Sequence, residues 1–522
     1  MPHSTAQARA PGNPMSFDDV KAFLSDPATH GTTAPVEVVR THGALVFLSE
    51  DDAYKVKRPL TYDYLDFSTL DKRKAMLDRE LELNRPAAPE IYLGLVPVTR
   101  TADGGLRLGG EGPVVEWCLH MRRFPKGAEL SDMAARGTLT RAIAEDLGRV
   151  IAAFHARAEI RDADGAALVS TVADELETTL AGMTDVLPCD GVTELRSGVR
   201  DRIARQAELL RDRGHVGFIR RGHGDLHLGN LVLLEGCPVP FDALEFSERL
   251  GTLDVLYDLA FLLMDLTHRD LPEAANAVLA SYLFHADTPD HLDGLALMPL
   301  FLALRAAIRA MVSVQAGRLS EEDRAARYAE ARTYLAEARA HLSPPPPRLI
   351  AVGGLSGTGK TTLARRLAPH VGSTPGAIHL RSDLERKALF GVDPLTPLPR
   401  TAYAPEVSAR VYASLLDKAG RILSAGQSVI VDAVFAREDE RRRLVTLARR
   451  AGARLTGLWL TVDAETMIKR VETRQGDASD ADAAVVRRQL ERSEPAPDWA
   501  KVDASGTPEA TLAQALRRLD AP

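Results

Sequence analysis

The chain is poor in cysteine: Cys118, Cys189 and Cys237 are the only three in 522 residues, far apart and without a CxxC pair. No disulfide framework can be drawn from them, and three reduced, buried thiols in a cytoplasmic protein are expected. A basic excess is also missing. Lys+Arg 65 against Asp+Glu 72 leaves a net charge of -7, which argues against a dedicated nucleic-acid binder. A membrane span takes about 20 apolar residues, and none is expected here. The most apolar stretch, 295–304, contains Pro299 and runs into Arg305 and Arg309, so it is expected to be a core helix. The first fifteen residues, MPHSTAQARAPGNPM, lack the apolar core of a signal peptide and are read as a disordered leader, 1–15. There is no internal repeat.

What remains is ordinary globular material. With 45% hydrophobic and 26% charged residues, the chain has enough apolar content for large cores. Its length suggests two or three domains of about 150 residues. A tetraproline, 343–348 with its flanks, cannot continue a helix and is expected to form a semi-rigid linker. Before it, strand-like segments at 44–48, 53–57, 92–99 and 114–123 give way from Leu139 to helices, with short strands at 230–234 and 238–241. After it, strand-like runs at 349–352, 377–380, 428–431 and 454–460 alternate with helical patterns, as in a doubly wound parallel sheet. The expected organisation is a domain at 16–342, the linker at 343–348 and a second domain at 349–522.

The second domain opens with Gly354-Leu355-Ser356-Gly357-Thr358-Gly359-Lys360-Thr361-Thr362, a Walker A match between a strand and a helix. Glycines there let successive N–H groups point inward, and the helix adds its positive end, so the loop is expected to cradle ATP phosphates. Lys360 would reach the β- and γ-phosphates, and Thr361 would ligate Mg²⁺. Asp383 and Asp432 end successive strands, where ligands of parallel sheets bind. One could accept a hydroxyl proton while the other supports the metal; the lesser alternative is that both are solvated strand ends. Arg470 and Arg474 lie one turn apart on a helix and could close over the transferred group, or form a solvated basic face. This half, about 348–521, resembles the small P-loop kinases related to polynucleotide, gluconate and antibiotic kinases, of the AAA-type ATP-binding family. The resemblance implies Asp383, in D-x-x-R with Arg386, as base, Arg470 and Arg474 as lid, and 502–506 near adenine.

The first domain holds His223-Gly-Asp225-Leu-His227-Leu-Gly-Asn230, then Phe241-Asp242 after a short strand pair. An Asp, an Asn five residues on and an Asp twelve further match the kinase catalytic loop: base, metal ligand and second metal ligand. The motif is similar to that of the aminoglycoside phosphotransferase family, a branch of the protein-kinase-like fold, over about 35–342. That resemblance implies Asp258 as a structural carboxylate and Lys55 as the strand lysine on the α- and β-phosphates. Lys57 competes with it from the same strand face. Glu80 is the implied partner of the lysine, since Glu82 points about 200° away on its helix. His155 is expected to be a helix residue rather than a base. No GxGxxG lies over the nucleotide; only Thr41-His-Gly43 precedes the second strand. Ala243 and Leu244 stand where protein kinases have Phe-Gly, which argues against an activation-loop switch of their kind.

The expected fold is therefore an α+β two-lobed protein-kinase-like domain followed by an α/β P-loop domain with a parallel sheet. The leading functional expectation is a bifunctional enzyme with two ATP–Mg²⁺ sites, each passing a phosphoryl group to a small-molecule hydroxyl. Two alternatives stay open: one catalytic half with the other an ATP-dependent regulator, and an ATP-gated scaffold. No membrane or nucleic-acid partner is expected.

Overall fold

The computed structural model describes residues 16–41, 43–62, 65–474, 476–492 and 499–520. The leader at 1–15 and His42 lie outside them. The chain forms two compact units. The first takes in the residues up to Leu139 and Arg221–Leu253, and the second takes in Thr140–Arg220 and Asp254–Pro522. The tetraproline therefore lies inside the second unit rather than at its border.

The first unit is built on an antiparallel sheet of six strands: β1 Glu37–Arg40, β2 Ala44–Leu48, β3 Asp52–Lys57, β4 Tyr92–Arg100, β5 Leu106–Leu108 and β6 Val114–Arg122, in the order β1-β2-β3-β6-β4-β5. The two edge strands were not legible in the sequence. β1 is exposed along its whole length, so it carries no apolar alternation to read. Helix α1, Leu70–Asn84, starts at Thr69, whose hydroxyl accepts from the Lys72 amide. It turns Leu77 and Glu80, both fully buried, toward a cluster with Tyr92, Leu119 and Val239. Truncating Leu77 to alanine there would cost about 2–5 kcal/mol. A hairpin, β7 Leu231–Leu234 and β8 Cys237–Pro240, turns at Glu235 and Gly236 with φ of 49° and 81°. Two successive left-handed residues make the tight turn that suits paired strands.

The second unit begins with helices, among them α2 Arg141–Arg157, α3 Val255–His268, α4 Pro272–Ala286, α5 Met298–Leu319 and α6 Arg324–His341. The apolar stretch is, as expected, a core helix: α5 carries Pro299 in its first turn, where no N–H bond is lost. Residues Pro289–Leu319 are apolar and long enough to cross a membrane, but most of that stretch is buried inside the unit. Arg305 enters this core because its guanidinium stacks 3.9 Å from the Tyr257 ring and donates 3.1 Å to the Tyr257 carbonyl. Beyond the prolines, five strands form an all-parallel sheet: β9 Arg348–Gly353, β10 Ile378–Arg381, β11 Val429–Asp432, β12 Arg454–Thr461 and β13 Ala500–Asp503, ordered β10-β11-β9-β12-β13. The fifth strand is an addition to the four expected ones. The cysteine expectation needs correction. Cys118 is buried, but Cys189 and Cys237 are exposed, at the first residue of a helix and of β8, where each chain direction begins anew at the surface.

Candidate functional site

In the first unit, strand β3 is buried on both faces, so its two lysines lie inside the protein with their ammonium groups paired. Lys55 Nζ stands 2.7 Å from Glu80 Oε1 and 2.7 Å from Asp242 Oδ1. Lys57 Nζ stands 2.7 Å from Glu80 Oε2 and 2.6 Å from Glu245 Oε1. One fully buried carboxylate thus serves both lysines, and what separates them is the second partner. Lys55 faces the Asp242 side, whereas Lys57 faces Glu245, a residue the sequence gave no reason to single out. Burial pulls the Lys55 ammonium down, but Asp242, Glu80 and Glu245 together hold it well above the usual lysine value.

Asp242 follows β8 with φ of 59°, a left-handed backbone that aspartate tolerates better than most residues. Its N–H donates to the Tyr92 hydroxyl at 3.0 Å, and the next N–H, of Ala243, donates to Asn84 Oδ1 at 2.7 Å. These two bonds fix the turn, and neither Tyr92 nor Asn84 belongs to a recognisable motif. Burial pushes the Asp242 carboxyl up, yet Lys55 outweighs it and holds the group below the usual carboxylate range. At the other end of the hairpin, Asn230 Nδ2 donates to the Asp225 carbonyl and to Asp225 Oδ2, both at 2.9 Å. With both N–H bonds spent on Asp225, the Asn230 carbonyl oxygen is left for a cation. Mg²⁺ commonly takes one or two protein ligands and completes its shell with phosphate and water, so Asn230 and Asp242 suit it. Glu82 instead pairs with Arg79.

Asp258 and His155 belong to the second unit. Asp258, fully buried on α3, lies 3.3 Å from His155 Nε2, and His155 Nδ1 is 3.1 Å from the Tyr282 hydroxyl. His155 is thus a packed helix residue.

In the parallel sheet, the loop after β9 leads into helix α7, Lys360–Leu367. Gly357 has φ of 83°, and a Cβ there would come within 2.5 Å of the Met467 carbonyl, so the tight loop excludes any side chain. Leu355 and Ser356 are nearly buried, Thr358 Oγ1 donates to the Leu355 carbonyl at 2.8 Å, and Thr362 is exposed. Lys360 Nζ donates to the same carbonyl at 3.0 Å, and Thr361 Oγ1 donates to Asp432 Oδ2 at 2.6 Å. The threonine–aspartate contact joins the two groups expected to support a metal. Burial pushes the Asp432 carboxyl up, but His379, Lys360 and Arg381 hold it down at about 2. Asp383, beside Arg381 at the start of helix α8 Ser382–Leu389, is moved the other way: burial raises it, with Asp432 adding to the effect. A carboxyl with a raised pKa suits a proton acceptor better than its neighbour does.

The arginine expectation is corrected in part. Helix α9, Ala464–Thr473, ends before Arg474, which is its C-cap in extended conformation, so the two arginines share no helix face. Arg470 donates to the Ala504 carbonyl at 2.8 Å, next to the 502–506 segment, and its guanidinium lies 3.8 Å from where a Cβ on Gly359 would sit. Arg474 donates to the carbonyls of Ser479 and Ala481 at 2.9 and 3.1 Å. Arg386 is held by the Ala402 carbonyl at 2.6 Å and by the Tyr403 ring. The sequence reading missed Gln489, whose Oε1 accepts from the Ser356 N–H at 2.8 Å, and the strand pair His379 and Arg381 beside Asp432. A period-2 count along β10 puts both side chains on one face, a signal that was there to be read.

Residues 68–295 match the phosphotransferase enzyme family, and residues 349–496 match the AAA domain family. Over 493 residues the chain is 30% identical to uncharacterized proteins of Mycobacterium tuberculosis and Mycobacterium bovis, covering 92% of this chain and 94% of theirs. Among solved structures, a sugar kinase of Janibacter sp. is 25% identical and covers 34% of this chain and 95% of its own, with a TM-score of 0.25. A choline/ethanolamine kinase family protein of Mesorhizobium loti is 15% identical and covers 62% of this chain and 98% of its own, with a TM-score of 0.38.

Proposed function

Because this chain belongs to the family of the two mycobacterial proteins and joins a phosphotransferase-family domain to a P-loop AAA domain, we propose that each half transfers a phosphoryl group from ATP to a small-molecule hydroxyl. The observation that carries this reading is the Lys55–Glu80 pair with Asp242 at its end, in the same unit as Asp225 and Asn230. ATP with Mg²⁺, when bound, supplies the γ-phosphoryl group and the positive charge that offsets the transition state.

In the first half, Asp225 takes the acceptor proton, and the Asn230 amide holds its carboxylate in place. Asn230 Oδ1 and Asp242 ligate the cation. Lys55, steadied by Glu80, turns from Asp242 to the α- and β-phosphates, a role Lys57 cannot share while it is tied to Glu245. In the second half, the residues Gly354–Thr362 wrap the phosphates with backbone N–H groups, and Lys360 leaves the Leu355 carbonyl to meet the β- and γ-oxygens. Thr361 and Asp432 support the cation, and Asp383 takes the hydroxyl proton. Arg470 and Arg474 close over the site from the segment that follows β12.

The experiment is a small-molecule extract incubated with full-length protein and γ-labelled ATP, with mass spectrometry of the labelled products. Two chemically distinct phosphorylated products support the reading. Labelled inorganic phosphate alone would reduce the protein to an ATPase.

A further inference from the structure

A cavity of about 800 Å³ opens within the second unit, in the range that small-molecule sites occupy. One wall comes from the helices that precede the prolines, through Arg141, Glu145 and Ser281, and the other from the P-loop half, through Arg365, His379 and Arg381. His379 and Arg381, which line this space, lie 3.4 and 4.0 Å from Asp432, so its wall adjoins the carboxylate end of the parallel sheet.

Most charges on the walls are matched. Arg141 lies 2.8 Å from Glu145, and Lys418 lies 2.9 Å from Glu385. Arg365, on helix α7 just after the phosphate loop, is different. Among the described residues it has no hydrogen bond and no ion pair, although it is half-buried. Arg381 is 5% exposed; it gives one nitrogen to Asp477 at 3.1 Å, while its buried Nε has no hydrogen-bond partner and lies 4.0 Å from Asp432. Burial first, and then the like charge of Arg381, pulls the Arg365 guanidinium below its ordinary pKa, and the opposite charges of Glu145 and Asp477 offset this only in part. A buried donor without a partner is unfavourable, and two neighbouring guanidinium groups repel, so an anion entering here is favoured. Guanidinium groups suit carboxylate and phosphate because their planar forks match those oxygens.

We propose that this cavity receives the acceptor of the P-loop half, that Arg365 and Arg381 bind an anionic group on that acceptor, a carboxylate or a phosphate, and that the helix bearing Arg141 completes the pocket from the first half of the chain. The inference rests on the phosphoryl-transfer reading of the P-loop half. It disfavours a cationic acceptor there, since a cation would meet the Arg365 and Arg381 guanidinium groups. It also makes the acceptor site of one catalytic half depend on residues contributed by the other.

The test is calorimetric titration of full-length protein with inorganic phosphate and, separately, acetate, with Mg²⁺ and a non-hydrolysable ATP analogue saturating the nucleotide sites. The native protein is expected to bind one of these anions with the analogue in place. Arg365→Ala should weaken that binding at least about tenfold, Arg365→Lys should recover part of it, and analogue affinity should move less than about twofold. Arg141→Ala should also weaken it, because Glu145 is then left to face Arg365; unchanged affinity would remove the first half from the pocket. Anion binding that is insensitive to Arg365, or that disappears once the analogue is bound, overturns the inference. Failure of the analogue to bind in a Lys360-dependent way would instead overturn the reading on which it rests.

Discussion

Lys55 Nζ lies 2.7 Å from Asp242 Oδ1, so the strand lysine and the carboxylate assigned to the metal neutralise each other before any ligand arrives. Glu80 holds the lysine from the other side at 2.7 Å. Lys55→Ala is expected to lower turnover by the first half on the order of 100-fold, the usual effect of losing one preorganised cationic donor. Lys57→Ala should act on stability instead. It leaves the fully buried Glu80 and the nearly buried Glu245 short of a cation, a loss of about 3–5 kcal/mol, visible as a lower denaturation midpoint. Steady-state kinetics and urea unfolding on both variants tell the two roles apart. Equal kinetic losses with equal stability would contradict the assignment.

Asp225→Asn is expected to cut transfer by the first half about 10²–10⁴-fold. Nucleotide binding should persist, because Asn230 and Asp242 keep their places. The check is single-turnover product formation alongside fluorescence titration with a nucleotide analogue. Normal turnover in the variant would remove Asp225 from the role of base.

Gly357→Ala places a methyl group 2.5 Å from the Met467 carbonyl on a residue with φ of 83°. Both the clash and the left-handed backbone are unfavourable, together costing about 1–3 kcal/mol. The expected result is a P-loop half that binds nucleotide poorly while transfer by the first half is retained. Unchanged nucleotide affinity in that half would mean the loop has another shape.

His291 provides a pH dependence. Burial, and then the Arg213 cation, pull its imidazole from 6.5 down to about 3. In the fold it stays neutral, whereas in the unfolded chain it takes a proton below about 6.5. The unfolded state therefore binds more protons between these values, and stability falls as pH is lowered through the window. Going from neutral pH to about pH 5 should remove on the order of 2 kcal/mol. His291→Phe keeps a ring against Phe218 and Tyr282, 4.7 and 5.4 Å away, and should flatten that slope in thermal unfolding measured across pH. An equally steep slope in the variant would place the titrating group elsewhere.

The sequence carried the placement of the candidate residues well where spacing is fixed by a local turn. Asp225, Asn230 and Asp242 belong to one loop and hairpin, and the nine loop residues at 354–362 to one strand–helix turn, so their order along the chain is their order in space. It carried less where a contact joins distant segments. The choice between Lys55 and Lys57 depends on Asp242 and Glu245, nearly 190 residues further on, and no local pattern records which lysine meets which carboxylate. Tyr92 and Asn84 fix the Asp242 turn through single hydrogen bonds of the same long-range kind. Arg474 was misplaced for a different reason. Helix periodicity was extended one residue past Thr473, and helix ends are set by capping rather than by apolar spacing. The exposed β1 lacks the alternation from which strands are read, and β5 alternates over only three residues, too few to be read as a strand.

The most direct measurement compares product formation by full-length native protein, Lys55→Ala, Lys360→Ala and the double variant, using the acceptors found in the extract screen. On the proposed reading Lys55 and Lys360 would serve different phosphate sets in different units, so each single variant should lose one product and keep the other, and the double variant should form neither. If Lys360→Ala also silences the product that depends on Lys55, the two sites are not independent catalysts. The P-loop half would then be a nucleotide-dependent regulator of the first.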